Sequence, residues 1–298
     1  MSALLGYLRI PALALSGIVT FASGALYWKQ KLVSHTDRLR DLHLTLRHSE
    51  IIYPRYLPSG ARTEEGVPRP NQFGVSDYED LRIITPDGEH LSAFLLRPSN
   101  KGLSKKVTVL MFHGNAGNIG HRIPIGKIIE ENAGCYIFML EYRGYGLSTG
   151  DPDEAGIKID AQTALDYVRQ HNDTQGNDIV VYGQSLGGAV AADLVAKNQG
   201  AKDIKGLILE NTFASLKKVI PHAFPPARYL APLCHQKWAT EEILPRITEV
   251  PILFLSGLKD EIIPYALSFL FLSFAKQQQA FPHEVAPLCM PKQIHHMA

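Results

Sequence analysis

The segment that most constrains this chain is Gly183-Gln184-Ser185-Leu186-Gly187-Gly188. It follows the apolar run Ile179-Val180-Val181-Tyr182 and leads into Ala189-Val190-Ala191-Ala192-Asp193-Leu194-Val195. A buried strand therefore reverses sharply into a small-residue helix with a serine at the apex. Gly183 and Gly187 flank that serine because a bulky side chain at either place would collide as the chain turns back. A Gly-x-Ser-x-Gly string alone also occurs in glycine-rich loops at helix starts. The strand before it and the helix after it make this one a nucleophile elbow.

The neighbouring pattern supplies what such an elbow needs. Residues 107–112, 135–140, 179–182, 206–209 and 251–256 are continuous apolar runs, as strands buried on both faces should be. Helical stretches at 122–132, 154–171 and 186–198 fall between them, so the pattern predicts an α/β fold with a mostly parallel central sheet and helices on both faces. A hairpin, 78–85 and 91–96, turns at Pro86-Asp87-Gly88. The alternation breaks at about 211–247, where Pro221, Pro225, Pro226, Pro232 and Pro245 lie among Phe213, Phe224, Tyr229, Leu230 and Trp238. This segment reads as a small cap that would exclude water and help hold an acyl chain, or as completion of the main core.

The N-terminus carries no charge from Ile10 to Trp28. As a helix that stretch would rise about 28 Å, close to the hydrocarbon thickness of a bilayer. Tyr7 on one side and Tyr27-Trp28 on the other sit where interfacial aromatics belong. The expectation is an uncleaved single-pass anchor in an endomembrane, such as the endoplasmic reticulum, or in the plasma membrane. A cleaved signal peptide ending near Ala22-Ser23-Gly24, and hence a secreted protein, is the alternative. Lys29, Lys31, Arg38 and Arg40 outnumber Arg9, which favours a cytosolic domain. The expected organisation is an anchor at 1–30, a connector and linker at 31–76, the α/β domain at 77–276 and an atypical tail at 277–298. Residues 31–49 form a poorly ordered connector or an amphipathic helix, and the Pro/Gly-rich 54–74 an extended linker. A net charge of +1 gives no electrostatic reason to expect nucleic acid. Cys135, Cys234 and Cys289 have no metal-binding spacing and form no disulfide framework, and Cys135 reads as a buried small hydrophobe.

Ser185 is a weak nucleophile until a base takes its proton, and the oxyanion formed on attack needs preorganised N–H donors. The backbone N–H of Leu186 is one candidate donor. The second falls in Phe112-His113-Gly114-Asn115-Ala116-Gly117-Asn118, after an earlier strand, and is assigned to Asn115, with His113 structural. The acid should follow a later strand, which makes Asp260 the leading candidate and Glu210 the second choice. His295 is the candidate base, with His296 and His283 as alternatives. Glycine-rich Gly144-Tyr145-Gly146 is no phosphate loop, and the histidines lack ligand spacing, so no metal site is expected.

The chain resembles the bud-emergence (Bem forty-six) family of α/β-hydrolases, close to the animal alpha/beta-hydrolase-domain proteins twelve, thirteen and seventeen. The resemblance rests on His113-Gly114-Asn115-Ala116-Gly117-Asn118, Tyr142-Arg143-Gly144-Tyr145-Gly146-Leu147-Ser148, the Ser185 elbow, Leu209-Glu210-Asn211-Thr212-Phe213 and the Asp260 loop. It implies a membrane-anchored serine hydrolase without a cofactor, acting on acyl esters or thioesters such as lysophospholipids or palmitoylated cysteines. Two departures stand out. Residues 31–49 look like an addition, and after the helix expected at 264–276 no strand-like apolar run of four or more residues and no Asp-His-Asn loop follows where the family has its last strand and that loop. His171-Asn172-Asp173 is similar to that loop but precedes the Ser185 strand, and reads as a surface helix end. The C-terminal end therefore reads as incomplete, and both segments as products of an altered splice or gene model. The second functional reading is a tethered scaffold that keeps the fold and lacks a proper general-base histidine.

Overall fold

In the computed structural model, which describes residues 52–99, 105–218, 236–257 and 285–288, eight strands form one sheet in the order β1-β2-β4-β3-β5-β6-β7-β8. They are β1 (Tyr78–Ile84), β2 (His90–Leu96), β3 (Val107–Phe112), β4 (Tyr136–Leu140), β5 (Asp178–Gln184), β6 (Ile204–Glu210), β7 (Ile252–Gly257) and β8 (Val285–Leu288). Pairing is antiparallel for β1–β2 and β2–β4 and parallel elsewhere. The helices α1 (Ile123–Ala133), α2 (Glu154–Gln170) and α3 (Leu186–Asn198) are crossovers between parallel strands.

Alternation along each strand assigns its residues to the two layers. Leu110 and Phe112 of β3, with Val181 of β5, join the core formed with α2 and α3. Val109 and Met111, with Tyr182 of β5, join the core formed with α1. Burying each such Leu, Val or Phe stabilises the fold by roughly 1.5–3 kcal/mol. Helix α3 is buried from Leu186 through Val195, and its four alanines let it lie close against the sheet. Asp153 caps α2 by accepting the Gly156 N–H at 2.6 Å, and Gly134 ends α1 in the left-handed conformation at φ 62°.

Three features differ from the sequence-based expectation. Residues 54–74, expected as an extended linker, lie against the domain. Tyr53, Ala61 and Val67 are buried, and the Tyr53 hydroxyl accepts from Trp238 Nε1 at 2.8 Å. The apolar residues at these places are too irregularly spaced to show a period. Of the residues expected in a cap, Phe213 and Trp238 belong to the main core, while Phe224, Tyr229 and Leu230 lie outside the described residues. A strand does follow residue 260: β8 pairs with β7 from Phe254↔Val285 to Gly257↔Leu288. It is four residues long and contains Pro287, so it leaves no apolar run, and it sits at the sheet edge, where proline's missing N–H is tolerated. Cys135 is buried as expected, and burial pushes its thiol up to about 11.

Among the described residues no helix is long and apolar enough to cross a membrane. The expected anchor at 1–30 and the 31–49 connector lie outside the described residues.

Candidate active site

Ser185 stands between the end of β5 and the first turn of α3, with φ 53° and ψ −113°. The turn is closed by main-chain bonds: Ser185 N–H donates to Glu210 O at 2.9 Å, and Gly188 N–H donates to Ser185 O at 3.0 Å. The glycines around it are sterically required. A Cβ on Gly183 would lie 2.2 Å from Gly187 O, and one on Gly187 would lie 2.1 Å from Phe112 O. These contacts press the N-terminus of α3 against the end of β3 and the loop that follows it. The Ser185 hydroxyl makes no hydrogen bond among the described residues.

That loop, residues 113–118, brings Asn115 to the same edge of the sheet as Leu186. Gly114 abuts Gln184, the residue before the serine. The N–H groups of Leu186 and Asn115 donate to no group among the described residues. The Leu186 N–H is also one of the unsatisfied donors at the positive end of α3.

Glu210, the second-choice acid, ends β6 opposite Gln184. Its carboxylate accepts from the Tyr182 hydroxyl and from Gln184 Nε2 at 3.3 Å. Burial first, then the Glu210 charge, holds the Tyr182 phenol well above its ordinary value, so it remains a donor. Among the described residues no histidine is hydrogen-bonded to Glu210 or Ser185. Asp260, His283, His295 and His296 lie outside the described residues.

His113 is a buried structural residue, as expected. Its Nδ1 lies 2.7 Å from Gly114 O and its Nε2 3.0 Å from Glu141 Oε1, the second contact close but poorly aligned for a straight hydrogen bond. Glu141 Oε2 accepts the Ile119 N–H at 3.0 Å. Sequence reasoning missed this support. The Tyr142 hydroxyl donates to His113 O at 2.9 Å and the Tyr145 hydroxyl to Asn115 Oδ1 at 2.8 Å. The Tyr142–Ser148 segment was visible as a motif, but no local pattern says what its tyrosines touch.

Glu79, His171 and Asp173 offer ligand atoms within 4.8 Å of one another. Arg97 already occupies that cluster, with Nη2 2.6 Å from Glu79 Oε2 and Nε 2.7 Å from Asp173 Oδ2. The guanidinium neutralises the carboxylates a cation would need, so the group is an ion-pair network at the end of α2. His171 caps that helix, as its sequence position suggested.

The sheet order and the sharp serine turn between β5 and α3 define an α/β-hydrolase frame. Residues 107–239 match the family model described as the alpha/beta hydrolase fold. The chain is 41% identical over 264 residues to protein bem46 of Schizosaccharomyces pombe, covering 88% of this chain and 80% of that protein. It is 40% identical over 223 residues to the uncharacterized membrane protein YNL320W of Saccharomyces cerevisiae, covering 74% of this chain and 75% of that one. The chain belongs to the bem46 family of α/β-hydrolases. Among solved structures, an alpha-beta hydrolase from Vibrio vulnificus superposes with a TM-score of 0.61 at 20% identity, over 78% of this chain and 85% of that one. The Pyrococcus furiosus esterase Pf2001 superposes with a TM-score of 0.55 at 17% identity, over 74% of this chain and 84% of that one, which supports the shared fold.

Proposed function

We propose that this protein is a membrane-anchored serine hydrolase that cleaves acyl esters or thioesters of lipids or acylated proteins through an acyl-enzyme on Ser185. The observation that carries this reading is the Ser185 apex itself. A non-glycine residue is held at φ 53° at the start of α3, with no hydrogen bond to its hydroxyl among the described residues. In this reading Ser185 Oγ attacks the substrate carbonyl and a late histidine, His295 first with His296 and His283 behind it, takes the proton. Asp260 orients that base, and the Leu186 and Asn115 N–H groups donate to the developing oxyanion. The protonated base then releases the alcohol or thiol, and water completes the turnover. The charge-free stretch at 10–28 supports an anchor, as does the membrane protein among the relatives.

The test is hydrolysis of p-nitrophenyl esters and acyl thioesters of graded chain length by the full-length protein in detergent micelles, beside Ser185→Ala. Turnover lost in the variant is expected. A folded wild-type protein with no turnover would instead favour a scaffold without a working base.

A further inference from the structure

An oxyanion donor works only if its N–H is held in place before the charge develops. Asn115 sits in an irregular loop, so something outside that loop must fix it. The structure shows what does. The Asn115 side chain is gripped at both ends: Oδ1 accepts from the Tyr145 hydroxyl at 2.8 Å, and Nδ2 donates to Ile52 O. Tyr145 is itself enclosed by the core. It is fully buried, and its ring meets those of Tyr142 and His113 edge-on at 5.9 Å and 5.3 Å. Its turn is closed by Tyr145 N–H to Tyr142 O at 3.0 Å and Ser148 N–H to Tyr145 O at 2.9 Å. Gly146, at φ 44°, permits that turn, since a Cβ there would lie 2.1 Å from Glu141 Oε2. Burial, then the nearby Tyr53 and Glu141, keeps the Tyr145 phenol well above its ordinary value, so it stays a proton donor to Oδ1.

We infer that Tyr145 is a positioning residue for catalysis: its hydroxyl locks the Asn115 side chain and thereby holds the Asn115 N–H where the oxyanion forms. This rests on the serine-hydrolase reading above. Losing a whole oxyanion donor costs about 10²–10³ in kcat. Loosening one should cost less, about tenfold.

The experiment is steady-state hydrolysis of p-nitrophenyl acetate by the full-length protein and by Tyr145→Phe, Asn115→Ala and the double variant, with thermal melts of each. The expected result is a kcat about tenfold lower in each single variant at a KM within twofold of wild type. The double variant should be no slower than the slower single one, because the hydroxyl acts through Asn115. A Tyr145→Phe kcat within twofold of wild type overturns the inference, and so do losses that multiply in the double variant. If Tyr145→Phe does not fold, Asn115→Ala alone carries the same expectation. A folded wild-type protein without turnover refutes the hydrolase reading itself, whereas turnover unchanged in the variants refutes only the role of Tyr145.

Discussion

Ser185→Gly should give a more stable protein than Ser185→Ala, although neither retains the nucleophile. Ser185 holds φ 53° and ψ −113°, close to the first central position of a type II′ turn. Glycine occupies that region freely and an L side chain does not, at a cost of roughly 1–3 kcal/mol. Alanine keeps the Cβ and so keeps the strain. Glycine removes the strain but adds freedom to the unfolded chain, which offsets about 0.4–1 kcal/mol. The hydroxyl is absent from both variants, so it cancels from the comparison. The net difference is about 0.5–2 kcal/mol in favour of glycine, or roughly 1–8 °C in melting temperature for a domain of this size. Paired thermal and urea melts followed by circular dichroism measure it. A Ser185→Gly melting temperature at or below that of Ser185→Ala would refute the argument that the apex stores strain.

The close contacts and buried charges give three further expectations. Gly188→Ala would place a Cβ 1.7 Å from Thr212 Oγ1, so a loss of about 1–3 kcal/mol or more is expected in urea unfolding. Adding Thr212→Gly should recover part of that loss, and no recovery would contradict the contact. Arg143 binds the fully buried Asp160 carboxylate at 2.8 Å and Asp87 at 2.7 Å. Burial raises the Asp160 carboxyl to about 6 against the pull of Arg143. Arg143→Ala should therefore cost about 3–5 kcal/mol, and a loss below about 1 kcal/mol would count against it. The Arg143 and Thr85 bonds lower the Asp87 carboxyl from its ordinary 3.8 to about 2. Because the folded value is depressed, its stabilisation is present above about pH 4 and is lost as pH falls toward about 2. Melting curves of wild type and Asp87→Asn should converge over that window, and parallel curves would contradict the assignment.

How much could be read from sequence followed from how local each constraint is. The elbow was legible because strand, serine turn and small-residue helix are contiguous and Gly183 is needed by a contact with Gly187, four residues on, whereas the contact that needs Gly187 is with Phe112 O, far away in the chain. The strands β3 to β7 were legible because burial on both faces leaves continuous apolar runs. The strand β8 was not, since four residues containing Pro287 make no such run. The packing of residues 52–67 was hidden because Tyr53 is held by Trp238, 185 positions along the chain. The grip of Tyr145 on Asn115 spans 30 positions and depends on a hydroxyl direction that no periodicity encodes. The burial of His113 against Glu141 could not be read from the loop, because its partner lies 28 positions away.

The most direct test of the central claim is labelling of the folded full-length protein with a fluorophosphonate probe, followed by mass spectrometry of its peptides. One covalent adduct is expected, on Ser185, absent from Ser185→Ala. An unlabelled wild-type protein, or an adduct on a different serine, would contradict it.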